Sequence, residues 1–145
     1  MSTDRAYAPG PAGWVRDHVE AILAAGDTSV VSMPGIRVIL VSMRGRRSGA
    51  IRKVPLIRVE DSGRYAALGS QGGSPRDPQW VSNFRADPDV EVLDGRQSRP
   101  MRARELSGAE RAIWWDRAVA AFPDFADYQR RTDRQIPVFV LEPRP

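Results

Sequence analysis

The side chains able to do chemistry are a basic block and two hydroxyls. From Thr28 to Val59 there is no acidic residue, while Arg37, Arg44, Arg46, Arg47, Arg52, Lys53 and Arg58 are cationic. Arg44 to Gly49 interleaves arginines with Gly45, Ser48 and Gly49, so the backbone can turn tightly and present N–H groups beside guanidinium forks. Both suit phosphate or carboxylate. Charge alone leaves an anion-binding loop and a solvated basic turn equally open. GRRSG lacks the spacing and lysine of a Walker loop, and no G-x-G-x-x-G pattern occurs. Ser70 and Tyr128 carry hydroxyls that can hydrogen-bond or donate a proton, but no base is placed to make either a nucleophile. His18, the only histidine, reads as a surface or boundary residue. With one histidine and no cysteine, neither a histidine-rich nor a thiolate metal site is expected.

The elements that must position these groups follow from pattern. Ile36–Val41 and Val54–Val59 are rich in Val, Ile and Leu and predict two strands joined by the basic loop. Asp61-Ser62-Gly63 is a tight turn into a third strand, Arg64–Ser70. The glycine-rich stretch GSQGGSPRDPQW then leads into a helix with Asp77 as N-cap, Pro78 in its first position and Trp80, Val81 and Phe84 as its inner stripe. Alone this is an ordinary loop. Beside the first one it favours a cofactor, because a strand, a glycine loop and a helix N-terminus offer backbone donors to an anion.

Val90–Leu93 and Pro100–Glu105 predict a hairpin around Asp94-Gly95. Ser107 to Glu110 reads as a capping box that starts a helix through Ile113, Trp114, Ala118 and Ala121, ended by Pro123. A short helical piece, 124–131, and a last strand, 137–141, complete the chain. Phe122, Phe125 and Tyr128 recur every third residue, which brings the rings together on a helical path as core or as a substrate wall. Upstream, Trp14 to Ala25 is an amphipathic helix stopped by Gly26, and Met1 to Gly13 is a loose arm.

The 145 residues, 41% of them apolar, suit one domain, expected over 14–145. The net charge is +4, and Lys53 is the only lysine among 22 basic residues. The lack of cysteine fits a cytoplasmic protein. No secretory leader or membrane span is expected, since the longest apolar run is only Val38–Val41. Six short strands with late helices favour a small antiparallel barrel.

Three motifs carry a resemblance: R-G-R-R-S-G-x-x-R-x-x-P-L at Arg44–Leu56, G-S-Q-G-G-S-P-R-D-P-Q-W-x-x-N at Gly69–Asn83, and F-P-D-F-A-D-Y-Q-R-R-T-D-R-Q-I-P at Phe122–Pro137. In order and spacing the chain resembles the deazaflavin-dependent nitroreductase family, within the flavin/deazaflavin oxidoreductase superfamily. The resemblance implies an α+β fold, a six-stranded antiparallel split β-barrel of FMN-binding type with peripheral helices, and coenzyme F420, an 8-hydroxy-5-deazaflavin. It implies that Gly45, Arg46, Arg47, Ser48 and Arg52 hold the phosphate and polyglutamate tail. Lys53, Val54, Pro55 and Leu56 would line the groove; Leu68, Gly69, Ser70 and Gln71 would run along the ring; Trp80 and Asn83 would close one side.

The aromatic triplet, with Phe125 beside the cofactor, would cover the substrate, and Tyr128 and Ser70 would be the catalytic hydroxyls. The implied reaction is hydride transfer from the reduced deazaflavin to a small electron-poor acceptor. Phe122 and Phe125 stand where the best-known nitroreductase of that family has tyrosines, and Ile57 where it has an aromatic residue. A quinone or conjugated enone is therefore expected over a nitroimidazole. Gln71 stands where relatives often carry lysine, which removes a charge from the tail site.

Two other classes stay open on the residues alone. One is an FMN oxidoreductase or cofactor carrier on the same barrel. The other is a nucleic-acid-binding barrel, disfavoured because aromatic stacking residues are nearly absent beside the loop, where Tyr65 stands alone. No nucleic acid and no stable membrane insertion are expected. The sequence is compatible with peripheral contact with the inner face of the membrane, and with either a monomer or a homodimer.

Overall fold

Alternation of side chains decides how the sheet sits. In β1, Val38–Arg44, the side chains of Ile39, Val41 and Met43 enter the main core, while Leu40 points the other way against Val19 and Ile22 of α1, Gly13–Ala25. Leu40 is buried because that helix covers the outer face. Gly26 ends α1 with φ 65° as its N–H donates to Ile22 O at 2.7 Å. The computed structural model describes residues 13–31 and 36–144. The expected N-terminal arm lies outside them, apart from Gly13, which opens α1.

Among the described residues seven strands form one antiparallel sheet. With β2 as Ile51–Ile57, β3 as Glu60–Asp61, β4 as Arg64–Leu68, β5 as Asp89–Asp94, β6 as Gln97–Glu105 and β7 as Val138–Pro143, its order is β2-β1-β5-β6-β7-β4-β3. The strand beyond the expected six is β3, a two-residue continuation of β2. Between them the chain crosses from one end of the sheet to the other. Arg58 N–H donates to Arg37 O at 2.8 Å on the β1 side, and Val59 O accepts from Ala66 N–H at 2.9 Å on the β4 side. The sheet thus curls back on itself. Ser62 and Gly63, at φ 54° and 78°, make the two-residue turn between β3 and β4.

The first hairpin departs from the hydropathy reading. Strand β1 runs on through Arg44 and β2 begins at Ile51, instead of stopping at Val41 and starting at Val54. Arg52 and Lys53 are therefore strand residues, and the loop is only residues 45–50. Ladder hydrogen bonds form regardless of side-chain polarity, and Gly45 N–H closes the last rung on Ala50 O at 2.7 Å.

Two apolar clusters share β4 and β7. Tyr65, Ala67, Phe139 and Leu141 face the barrel interior with Trp80 and Phe84 of α2, Gln79–Ala86. There Phe84 and Phe139 meet edge to face at 5.3 Å. Ala66, Leu68, Val138 and Val140 face Trp114 and Ala118 of α3, Gly108–Ala121, and Phe125 of α4, Asp124–Arg130. Burial on both faces accounts for the unbroken apolar run in β7.

Neither expected helix cap makes its side-chain bond, although Ser107 does occupy the N-cap position before Gly108. Pro78 is the N-cap of α2 and no side chain caps it, because the Asp77 carboxylate is drawn to Arg134 at 2.7 Å. Ser107 makes no capping bond to α3, and Glu110 pairs with Arg104 at 2.8 Å instead. Near the curl of the sheet, Arg58 donates from Nε to both oxygens of Asp94 at 3.0 and 2.9 Å, and Tyr65 Oη donates to Asp94 Oδ2 at 2.6 Å. This trio joins the link that follows β2 to β4 and β5.

Candidate functional site

Strand β2 stands at one end of the sheet, and its hydrogen-bond phase sets what it offers there. Since Arg58 bonds Arg37 and Gly45 bonds Ala50, the register directs the backbone groups of Arg52, Val54 and Leu56 toward β1. Those of Ile51, Lys53, Pro55 and Ile57 point away from it. Pro55 falls in the outward set, where its missing N–H breaks no ladder bond. Residues of both faces of β2, Arg52 through Ile57, border a cavity of about 840 Å³. The cavity therefore runs along the strand's outer edge.

The facing wall is Leu68, Ser70, Gln71 and Gly72, continued by Pro78, Gln79, Trp80 and Asn83 around the start of α2. Gln71, Gly72 and Gly73 all lie at positive φ, 43°, 64° and 82°. Only glycine adopts this backbone freely, so Gln71 is strained. Two glycines mark close approaches, by the Val81 side chain at Gly69 and by the Tyr128 backbone at Gly73. A Cβ on Gly69 would lie 2.8 Å from Val81 Cγ2, and one on Gly73 would lie 2.7 Å from Tyr128 O.

The third wall is Phe122, Phe125 and Tyr128, with ring centroids 5.1 to 6.2 Å apart. The spacing by three thus produces the expected ring cluster. Phe125 also packs into the cluster beneath α3, so core and cavity wall are the same ring.

The basic loop lies at one end. Gly45 is buried and closely surrounded, with a Cβ there only 3.2 Å from Ala50 O, while Arg46, Arg47 and Ser48 are exposed. Arg44 Nη1 donates to Gly49 O at 2.7 Å and Ala50 N–H donates to Ser48 Oγ at 3.1 Å, which shapes the turn. Arg46 N–H donates to Asn83 Oδ1 at 2.9 Å. Asn83, a buried cavity residue, thereby ties the loop to α2. On the outer face of β2, Lys53 Nζ donates to Ser42 Oγ at 2.9 Å.

Of the residues named from the sequence, Arg52 to Leu56, Leu68, Ser70, Gln71, Trp80, Asn83, Phe125 and Tyr128 border this one cavity. Gly45, Arg46, Arg47 and Ser48 do not line it but sit in the loop beside it, and Gly69 lies behind the wall against Val81. Sequence reasoning missed Gln79, Val31, Ile36 and Val38, and it set His18 aside. His18 is exposed as expected, yet it borders the cavity at the α1 side. No local pattern signals this, because the placement depends on how α1 packs. Among the described residues no group of His, Cys, Asp or Glu could hold a metal ion, and no helix is long and apolar enough to cross a membrane.

Similarity to known proteins gives the class first. The chain is 49% identical to a solved F420-H2 dependent reductase, covering 72% of this chain and 93% of that one with a TM-score of 0.69. It is thus an oxidoreductase with the flavin/deazaflavin oxidoreductase fold. The family model for F420H(2)-dependent quinone reductases matches residues 14–143, and the chain belongs to that family. A Mycobacterium tuberculosis protein named for the same activity, Rv3178, is 37% identical over 109 residues, 75% of this chain and 92% of its own length. A solved domain-swapped dimer is 46% identical, with a TM-score of 0.73 over 92% of this chain and all of that one. Membership implies coenzyme F420 as the cofactor, in agreement with the three motifs.

Proposed function

We propose that the protein transfers a hydride from reduced coenzyme F420 to a quinone or other conjugated enone, with the deazaflavin ring along the outer edge of β2. The observation that carries this reading is the cavity itself. One long side is a strand edge whose backbone groups face outward, the far side is a glycine loop, and an exposed arginine loop stands at one end. About 840 Å³ falls within the range of cofactor-sized pockets. A flat, hydrogen-bonding ring with an anionic tail suits that combination.

In this reading Gly45, Arg46, Arg47, Ser48 and Arg52 hold the phosphate and tail carboxylates through guanidinium forks and backbone N–H groups. Asn83 keeps the loop in place from inside the cavity. The outward backbone groups of Lys53 and Pro55 hydrogen-bond one ring edge, Val54 and Leu56 pack beside it, and Leu68 to Gln71 flank the other side. When bound, the reduced coenzyme supplies the hydride. The chain's own task is to orient donor and acceptor, exclude water and place a proton. Trp80, Phe122 and Phe125 exclude water, and the Tyr128 phenol and Ser70 hydroxyl are the groups that donate to the acceptor oxygen as it becomes a hydroxyl. Phe122 and Phe125 have no hydroxyl to offer, which supports Tyr128 in that role. The reading further takes 14–145 as one cytoplasmic domain, and a homodimer in view of the 46%-identical domain-swapped relative.

The test is a titration of the protein with oxidised F420 and, separately, FMN, following tryptophan fluorescence, because Trp80 borders the cavity. Saturable quenching by F420 alone is expected, weakened at least about tenfold in the Arg47→Ala, Arg52→Ala double variant, a loss of about 1.4 kcal/mol or more. Binding of FMN in preference to F420, or indifference to the double substitution, would refute the assignment.

A further inference from the structure

We infer that Arg134 is a positioning residue that makes the glycine loop and α4 one body, setting two walls of the cavity together. Arg134 follows α4 and its side chain is only 16% exposed. Its guanidinium spends each nitrogen on the loop: Nη2 donates to Ser70 O at 3.0 Å, Nε to Ser74 O at 2.9 Å, and Nη1 to Asp77 Oδ1 at 2.7 Å. The two carbonyls bracket Gln71, Gly72 and Gly73, the residues held at positive φ. Within that bracket the loop's own backbone bonds are Gly73 N–H to Ser70 O and Ser74 N–H to Gln71 O. A glycine pair loses much conformational freedom on ordering, so this shape depends on ties from outside.

Arg134 is itself bound to the aromatic helix. Its carbonyl accepts from Gln129 Nε2 at 2.8 Å, and Gln129 Oε1 accepts from Ile136 N–H at 3.0 Å. Gly73 meets the same helix from the other side, where a Cβ would lie 2.7 Å from Tyr128 O and 2.9 Å from Arg131 Cβ. Ser70 and Gln71 therefore cannot move without α4, which carries Phe125 and Tyr128. Arg134 does not line the cavity and acts only through these neighbours. A lysine could keep the ion pair with Asp77, but as a single point charge it could not reach both carbonyls.

The inference rests on the proposed F420 site for its binding consequence, and the test separates the two. Amide hydrogen exchange, F420 affinity and quinone kinetics are compared in wild type, Arg134→Gln and Arg134→Lys. In Arg134→Gln, exchange should rise about tenfold at Gly73 and Ser74 and together across 125–131, with β5 and β6 unchanged. If the loop is then competent about a tenth of the time, the Kd for F420 rises about tenfold, and about threefold in Arg134→Lys. The quinone KM should rise with it while kcat at saturation stays within about twofold, a split that general destabilisation would not produce. Exchange confined to one wall, or wild-type affinity and KM in both variants, would overturn the inference. Failure of wild type to bind F420 would remove the cofactor reading, and the exchange data would still decide whether Arg134 joins the walls.

Discussion

Replacing Tyr65 by Phe tests whether the Arg58–Asp94–Tyr65 trio secures the curl of the sheet. The ring is 2% exposed and its hydroxyl donates to Asp94 Oδ2 at 2.6 Å, a short bond to a carboxylate that Arg58 also holds. Removing such a charge-assisted bond while keeping the ring should destabilise the fold by about 2 kcal/mol at neutral pH. That corresponds to a Tm lower by about 4–8 °C for a chain of this size. Burial first, and then the Asp94 carboxylate, push the phenol's pKa from 10.0 up to about 12. Because the folded-state value is the higher one, the wild type keeps this contribution fully below about pH 10 and loses it as pH rises through about 12, a change of roughly 2–3 kcal/mol. Tyr65→Phe has no such group, so its deficit should shrink over that window. Urea unfolding followed by tryptophan fluorescence at pH 7, 9, 10 and 11 measures both effects. A deficit under about 0.5 kcal/mol at pH 7, or one that stays constant up to pH 11, would refute the reasoning.

Gly69→Ala puts a methyl 2.8 Å from Val81 Cγ2 and should destabilise by about 1–3 kcal/mol in thermal unfolding, with the largest chemical-shift changes in α2. Asn83→Ala leaves Arg46 N–H without its acceptor; F420 affinity should fall several-fold and stability by about 1–2 kcal/mol, read by titration and urea unfolding. The bidentate Arg85–Glu105 pair is 49% and 40% exposed, so Arg85→Ala should change stability by less than about 1 kcal/mol, and less again in high salt. Arg85 holds the Glu105 carboxyl below its ordinary 4.5, so this small contribution is present above that pH and lost as pH falls below it. Quinones should be turned over and nitroimidazoles poorly or not at all; robust nitroimidazole reduction by the purified protein would contradict the role given to Phe122 and Phe125.

Much of the scaffold was legible from neighbours in the chain. Turn residues such as Ser62-Gly63, the apolar run of β1 and the every-third spacing of Phe122, Phe125 and Tyr128 are local signals, and they located strands, loops and the ring cluster. The one-signed block from Thr28 to Val59 pointed for the same reason to the exposed arginine loop that stands beside the cavity. Strand ends were misjudged because hydropathy ends where charge begins, whereas ladder bonds carried β1 through Arg44 and β2 back to Ile51. The caps were misjudged because Asp77 and Glu110 found guanidinium partners remote from the backbone donors beside them.

Folding decided what the site is made of. That β2 ends the sheet formed by the described residues, with both faces on one cavity, follows from pairing order, which no single strand encodes. Asn83 reaches Arg46 across 37 residues and Arg134 reaches Ser70 across 64. His18 borders the cavity only because α1 packs on Leu40. Composition and spacing announce which residues can bind an anion or donate a proton, since those properties belong to single side chains. Which of them share a cavity depends on contacts between distant segments, and these exist only once the sheet has curled.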